Sequence, residues 1–352
     1  MGMDKLVETA KEYTSEFETL IADPRIAVIG CGGAGCNSID RLHSIGVWGA
    51  ETIALNTDKA HLTNIRADKK VLLGKRVTHG HGAGGRPEVG EYCAEESREE
   101  LERLLRGVDM AFITVGMGGG TGTGTAPVVA EVAKELGSVV VSMATLPFKA
   151  EGLMRNQKAN IGLGKLRASS DSTIVLDNDR LVRIVPNLPI DQAFSVMDQL
   201  ISEVIKNVSE AITQPSMINL DYADLRTVMC NGGASTIIYG ESSAHRPEDV
   251  VAEALSNPLI EMEYDGANNA LVHLTVGPEM NIRSANRVMQ EMTEFLGPSA
   301  NVIFGARIDE DYTGQIKIMS IINGVEISDS NMPGVAFEPE MPVLNSCVSM
   351  VR

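Results

Sequence analysis

Three glycine-rich segments and one acidic pair carry most of the chemistry that this sequence displays. Gly30-Cys31-Gly32-Gly33-Ala34-Gly35 follows the apolar run Arg25 to Ile29 and fits the GxGxxG pattern. Such a turn lets the backbone approach a pyrophosphate, and the helix that follows offers unpaired N–H groups at its start. Asp58 lies past the next strand, about where an acid meets a ribose hydroxyl. Taken alone, this segment reads as a dinucleotide site, and a nicotinamide-dependent oxidoreductase is the enzyme it suggests. The alternative is a tight strand-to-helix turn that holds no ligand.

The second segment narrows the choice. Gly116-Met117-Gly118-Gly119-Gly120-Thr121-Gly122-Thr123-Gly124 has six glycines in nine residues, a costly concentration in chain entropy. It makes sense where successive backbone N–H groups form a nest around an anion, with threonine hydroxyls as further donors. A flexible linker would not sit between a buried strand and a helix. No GxxxxGK[ST] occurs, so no Walker lysine serves the phosphates. Two anion-binding turns on neighbouring strands suit a nucleoside triphosphate better than a dinucleotide. A third turn, Gly80 to Pro87, is either a lid over the terminal phosphate or an ordinary loop. Asp221 and Asp224, read as residue types alone, favour a helix cap over catalysis.

The elements that must position these groups alternate through the first half. Strands are expected at Arg25–Gly30, Thr52–Leu55, Val71–Leu73, Val108–Val115, Ser138–Leu146 and Thr173–Leu176. Helices are expected at Cys36–Ile45, Pro87–Leu105, Ala126–Leu136 and Glu151–Arg167. That alternation predicts a parallel sheet covered on both faces. Ile190 to Thr213 carries an apolar stripe through Ala193, Phe194, Met197, Leu200, Ile201, Val204, Ile205, Val208 and Ile212, the mark of one long helix joining two domains. Beyond it, a helix at Val250–Leu255, a strand at Leu271–Val276, a helix at Ile282–Phe295 and strands at Val302–Ile308 and Gln315–Ile322 suggest a smaller α+β domain.

Lys plus Arg number 30 and Asp plus Glu 47, a net charge of −17 that argues against duplex nucleic acid and anionic membrane as partners. A phosphate ligand must then be held by local dipoles, not bulk charge. No apolar run approaches the roughly 18 residues of a spanning helix, and no signal peptide is expected in residues 1–23. Five scattered cysteines without a CxxC pair read as reduced thiols in a cytoplasmic protein. His79 and His81 lack a third ligand and read as part of a solvated loop.

The segment Gly116 to Gly124 resembles the signature loop of the tubulin/FtsZ superfamily, and the surrounding text resembles its FtsZ branch. The matching stretches are Asn56-Thr57-Asp58, Pro87-Glu88-Val89-Gly90, Ala94-Glu95-Glu96-Ser97-Arg98, Asn178-Asp179-Arg180, the NxDxxD-like Asn219-Leu220-Asp221-Tyr222-Ala223-Asp224, and Asn301 to Ala306. The resemblance runs from Pro24 to Ile322. It implies an α/β fold: a Rossmann-like parallel-sheet GTP-binding domain (24–189), a central helix and catalytic loop (190–226), and a smaller α+β domain (227–327). A helical extension (1–23) and a flexible tail (328–352) flank them. The implied activity is hydrolysis of GTP to GDP and phosphate, with Mg²⁺, by subunits assembling head to tail in prokaryotic cell division. A non-hydrolysing tubulin-like scaffold is the remaining alternative.

Carried over by position, the resemblance sets Gly32, Gly33 and Asn37 at the first turn, with Asn56 and Asp58 nearby as nucleotide-binding residues. Gly116, Gly118, Gly119, Gly120, Thr121, Gly122 and Thr123 hold phosphates, and Ala83, Gly84 and Gly85 lie near the γ-phosphate. Glu151 and Arg155 meet ribose and phosphate, Asn178 and Asp198 read the guanine edge, and Phe194 stacks on the base. Asp221 and Asp224, oriented with help from Asn219, act on the nucleotide of the next subunit. No direct metal ligand from the protein is implied. Partners implied are further copies of the chain and adaptor or division proteins met through the tail, at a mid-cell site, without membrane insertion. The chain departs from the family pattern at Ala34, Cys36, Leu146, Leu153 and Met154.

Overall fold

The computed structural model describes residues 24–325, apart from 185–186, 188, 215, 217, 219, 231–233, 245, 257–266, 268 and 298–299. The expected extension (1–23), the tail (328–352) and Asn219 lie outside the described residues. Strand β1 (Ile26–Cys31) is buried at every position, as a central strand of a parallel sheet must be when both faces are covered. It pairs in parallel with β2 (Ala50–Asn56) on one side and β4 (Met110–Gly116) on the other. With β3 (Lys69–Leu72), β5 (Val139–Leu146) and β6 (Ser172–Asp177) the order is β3-β2-β1-β4-β5-β6.

Helices cover both faces. Ile39 and Leu42 of α1 (Gly32–Ile45) pack with Val28, Phe112 and Met143 on one face. The other face buries Ile29, Leu55 and Ile113 against α4 (Arg98–Leu105), α5 (Thr121–Glu135) and α6 (Leu153–Ser169). The short α2 (Lys59–Asn64) follows β2, α3 (Pro87–Glu96) precedes α4, and α7 (Asn178–Ile184) follows β6.

Four helix boundaries differ from expectation for local reasons. α1 opens at Gly32 and α5 at Thr121, four or five residues early, because first-turn N–H groups are unpaired in any helix and glycine costs little there. The expected helix Pro87–Leu105 is two helices broken at Ser97 (φ −97°, ψ 9°). The Ser97 hydroxyl donates to the Cys93 carbonyl at 2.9 Å and accepts from Gly74 N at 3.4 Å, a local alternative to continuing the helix. Glu151 belongs to a 3₁₀ turn, and α6 starts after Gly152.

The central helix α8 (Ile190–Thr213) buries Ala193, Met197, Ile201, Val204, Ile205 and Val208, as the stripe predicts. Its apolar face joins the first sheet's core to Ile237, Leu271, Met319 and Ile321 of the second half. Helix α9 (Tyr222–Cys230), of which the sequence offers only a candidate cap at Asp221 and Asp224, and strand β7 (Ala234–Ser243), absent from the expected elements, come next. Then follow α10 (Pro247–Leu255), β8 (Asn269–Val276), α11 (Ile282–Leu296), β9 (Asn301–Ile308) and β10 (Gln315–Val325). β10 runs antiparallel between β7 and β8, and β9 lies outside β8 and parallel to it. The two strands flanking the polar turn at 309–314 are therefore not each other's partners. The two halves also share one ten-stranded sheet, because β6 and β7 pair in parallel over Thr173–Ala234 and Ile174–Ser235.

Candidate functional site

The carboxyl ends of β1, β4 and β5 open on a cavity of about 440 Å³. Part of its wall is backbone, from Gly33 and Ala34 at the start of α1 and from Gly116, Gly119, Gly120 and Gly122 of the second glycine loop. α1 and α5 both begin in this wall, so two sets of unpaired N–H groups and two helix dipoles favour an anion in one space. The loops interlock at Gly32 (φ +74°), where a Cβ would fall 2.6 Å from Gly122 N. Thr123 Oγ1 accepts from Gly118 N at 2.9 Å and is buried, so it closes the loop and does not line the cavity. Thr121 does line it, with its hydroxyl 2.6 Å from that of Thr57. The third glycine turn packs on the second, since a Cβ on Gly120 would meet Ala83 and the backbone of Gly85 and Arg86. Lys158 Nζ donates to the Gly85 carbonyl at 2.7 Å and ties that turn down.

The opposite wall comes from α8 and its surroundings. Phe194 is 40% exposed, with one edge against buried Phe148 (centroids 5.4 Å, interplanar angle 67°), so it is a wall of the cavity and not the core residue its stripe position suggests. Asp198 Oδ1 accepts from Ser38 Oγ at 2.6 Å. Burial pushes the Asp198 carboxyl above its ordinary range, against the lowering effects of Ser38 and Arg41. Asn178 is only 5% exposed, and its Oδ1 has no partner among the described residues. A buried acceptor left unpaired is costly, and this one lines the cavity. Glu151 accepts from Phe148 N at 2.9 Å and pairs with Arg155 at 2.9 Å.

The acidic segment stands elsewhere. Ile218 and Ala306 of β9 exchange two backbone hydrogen bonds of 3.2 Å. Asp221 directly precedes α9, and its carbonyl accepts from Asp224 N and Leu225 N at 3.1 Å. Both acids are exposed at a helix start, the place the capping reading foresaw. Tyr222 Oη donates to the carbonyl of Asp109 at 2.7 Å. Asp109 precedes β4, whose other end, Thr114 to Gly116, lines the cavity. At about 3.3 Å per residue, the length of β4 separates the two ends by roughly 20 Å.

The description "Tubulin/FtsZ family, GTPase domain" matches residues 25–186, and "FtsZ family, C-terminal domain" matches residues 232–326. Cell division protein FtsZ 2 of Halobacterium salinarum is 51% identical over 305 residues, covering 86% of this chain and 77% of that one. Cell division protein FtsZ 2 of Methanocaldococcus jannaschii is 48% identical over 329 residues, covering 92% and 86%. The chain belongs to the FtsZ family. The structure of an FtsZ dimer from M. jannaschii superposes with a TM-score of 0.84 at 41% identity, covering 90% of this chain and 92% of that one. The protein is thus a GTPase of cell division that binds guanine nucleotide.

Within this FtsZ-family fold, the cavity gathers Gly33, Asn37, Gly116, Gly119, Gly120, Thr121, Gly122, Glu151, Arg155, Asn178, Phe194 and Asp198. Asn56 and Asp58 stand behind it. Asp58 caps α2 by accepting from His61 N at 3.1 Å, and Asn56 Nδ2 lies 3.3 Å from His61 Nδ1. A carboxylate engaged at a helix start is a poor ribose ligand, so the nicotinamide reading loses its acid and is set aside along with the inert-scaffold reading. Gly32, Gly118, Gly84 and Gly85 shape the loops without lining the cavity. His61, whose Nε2 lies 3.1 Å from Asn37 Oδ1, and Ser38, Thr145 and Pro147 line it and were missed. Only the turn after Asp58 hinted at His61; single polar side chains without a pattern leave no other signal.

Proposed function

We propose that this GTPase works as a head-to-tail polymer in which Asp221 and Asp224 of one subunit complete the nucleotide cavity of the next. The observation that carries this reading is the Tyr222–Asp109 hydrogen bond, which pins the acids to the end of β4 remote from the cavity. A carboxylate there has no reach to its own chain's nucleotide, but it is presented outward for a neighbour stacked along the same axis. Such a contact joins two different surfaces, so it propagates into an open filament.

In this reading the triphosphate rests on backbone N–H groups of 119–122 and on Thr121, with the turn at 83–85 over the γ-phosphate. Phe194 stacks on the base. Asp198 accepts from the guanine N1–H and N2–H₂ pair, which adenine lacks, and Ser38 holds the carboxylate in place. Asn178 Oδ1 gains its missing donor. The neighbour's Asp224 and Asp221 orient the attacking water and take up its proton, and Asn219 orients the loop. Mg²⁺, when bound, offsets the phosphate charge. The Thr121 hydroxyl would suit its hydration shell, and phosphate oxygens and water would hold it.

The working units are 24–189 for nucleotide, 190–226 for transmission and the acid loop, and 227–327 for the far contact surface. The tail offers a site for division proteins or a membrane adaptor. No helix among the described residues is long and apolar enough to cross a membrane. The division role of the FtsZ relatives supports a filament in the cytoplasm at the mid-cell site. Light scattering with parallel phosphate release tests the reading: GTP with Mg²⁺ is expected to raise both together. Full turnover without any rise in scattering at every protein concentration would contradict it.

A further inference from the structure

Arg307 on β9 belongs to neither half of the site, yet it holds the root of the acid loop. Its Nη1 donates to Glu210 Oε2 at 2.7 Å and to Gln214 Oε1 at 3.1 Å, and its Nη2 donates to Asp309 Oδ2 at 2.9 Å. Glu210 is a buried carboxylate on the last turn of α8, and its other cation, Lys206, stands farther off at 3.9 Å. Gln214 is the first residue past α8, where the acid loop begins. The neighbouring positions of β9 hold the rest of that loop. Ala306 exchanges backbone hydrogen bonds with Ile218, and Gly305 leaves room for Leu220, whose Cγ would lie 2.7 Å from a Cβ at 305. Three successive strand residues thus grip 214, 218 and 220 in antiparallel order, and Asp221 follows directly.

We propose that Arg307 is a positioning residue: its fork onto Glu210 and Gln214 sets the register of the acid loop on β9, and hence where Asp221 and Asp224 meet the neighbouring subunit's cavity. The proposal rests on the shared-site reading above. One isolated bridge at Ile218–Ala306 is a weak determinant of register, and a slip of one residue moves the following chain by about 3.3 Å and turns alternate side chains to the other face. A displacement of about 1 Å is already enough to cost on the order of a hundredfold in rate. A guanidinium presents several donors in one rigid plane and can hold two acceptors at once, which a lysine ammonium on a flexible stem does poorly.

The test uses the full chain with GTP and Mg²⁺. Arg307→Met is expected to lower phosphate release at saturating GTP by on the order of tenfold to a hundredfold, with KM and the affinity for GDP within about twofold of wild type. Arg307→Lys is expected to recover part of the loss. Arg307→Met alone leaves buried Glu210 with only the more distant Lys206, so the double variant Arg307→Met/Glu210→Gln, which removes that buried charge, guards against misfolding and is expected to show the same loss.

A mixing experiment separates positioning from general damage. Gly119→Asp puts a carboxylate into the phosphate space at a site where a Cβ meets nothing within 4 Å, so it disables the cavity and spares the acid loop. Mixed with it, Arg307→Met is expected to regain turnover above the sum of the two alone, because intact loops then meet intact cavities. Asp224→Ala mixed with Gly119→Asp is the reference and is expected to regain turnover in the same way. Wild-type turnover in Arg307→Met and in the double variant overturns the proposal. So does recovery in the Asp224→Ala mixture without recovery in the Arg307→Met mixture. Failure of both mixtures removes the shared site itself, and the proposal with it.

Discussion

The two ends of the central helix differ in how finished they are. At its start, Phe194, Met197 and Asp198 enter a cavity already walled by two glycine loops, with Ser38 fixing the carboxylate and Asn178 holding an acceptor open. Past its end, Asp221 and Asp224 are exposed and line no part of that cavity. One region is a walled cavity, and the other is an exposed segment anchored through Tyr222. On the shared-site reading proposed above, binding and hydrolysis are built at different points of one subunit. A single long helix, packed on both halves of one sheet, fixes the distance between them.

The comparison breaks most sharply at Asp224. Asp224→Ala is expected to keep nucleotide binding and filament formation while losing on the order of a hundredfold in turnover, the usual scale of a positioned acid–base group. Phosphate release at the wild-type rate from that variant would remove the acid loop from the chemistry.

A second difference lies in how the two ends respond to acid. His273 lies on β8 beside Gly305, under the seat of the acid loop, and is buried with Nε2 unpaired among the described residues. Burial, with Arg307 and Lys317 nearby, pushes its pKa from 6.5 down to about 4. The folded state therefore keeps the ring neutral. Between pH 6.5 and 4 the unfolded chain takes up a proton that the folded chain refuses, so stability present above 6.5 is lost as pH falls. The loss reaches about 2 kcal/mol by pH 5. Urea unfolding at pH 7 and pH 5 is expected to show a smaller acid loss in His273→Asn than in wild type; equal losses would clear His273.

The cavity end also weakens in acid but through the opposite pKa shift, because on the proposed reading the raised Asp198 carboxyl must ionise to accept from guanine. GTP affinity is expected to weaken on acidification above the range of ordinary carboxylates. Asp198→Asn is expected to abolish that pH dependence and to reduce preference for GTP over ATP by on the order of tenfold. Unchanged preference would mean that the base is read by other groups.

Sequence made the cavity end more legible than the acid end, for a physical reason. A wall built from backbone N–H groups needs glycine, and Gly116 to Gly124 displays that need in composition. The long helix announces itself by periodicity, and Ala193 through Val208 are buried as that pattern requires, with Phe194 diverted to the cavity. Ser38, His61 and Thr145 enter the wall as isolated polar residues, visible only once strands and helices are assembled. The position of Asp221 and Asp224 depends on the Tyr222–Asp109 bond, 113 residues apart in the chain. The grip of β9 on the loop is equally nonlocal, and among the described residues the shared sheet is joined by two residue pairs between β6 and β7. The family resemblance supplied a role for the acids that their residue types did not.

The most direct test is the rate of phosphate release per subunit, measured with saturating GTP and Mg²⁺ from dilute to concentrated protein. A site assembled from two subunits predicts almost no turnover at low concentration, then a rise beyond a threshold that coincides with the onset of scattering. A constant rate per subunit across the whole range, with lone subunits fully active, would contradict it.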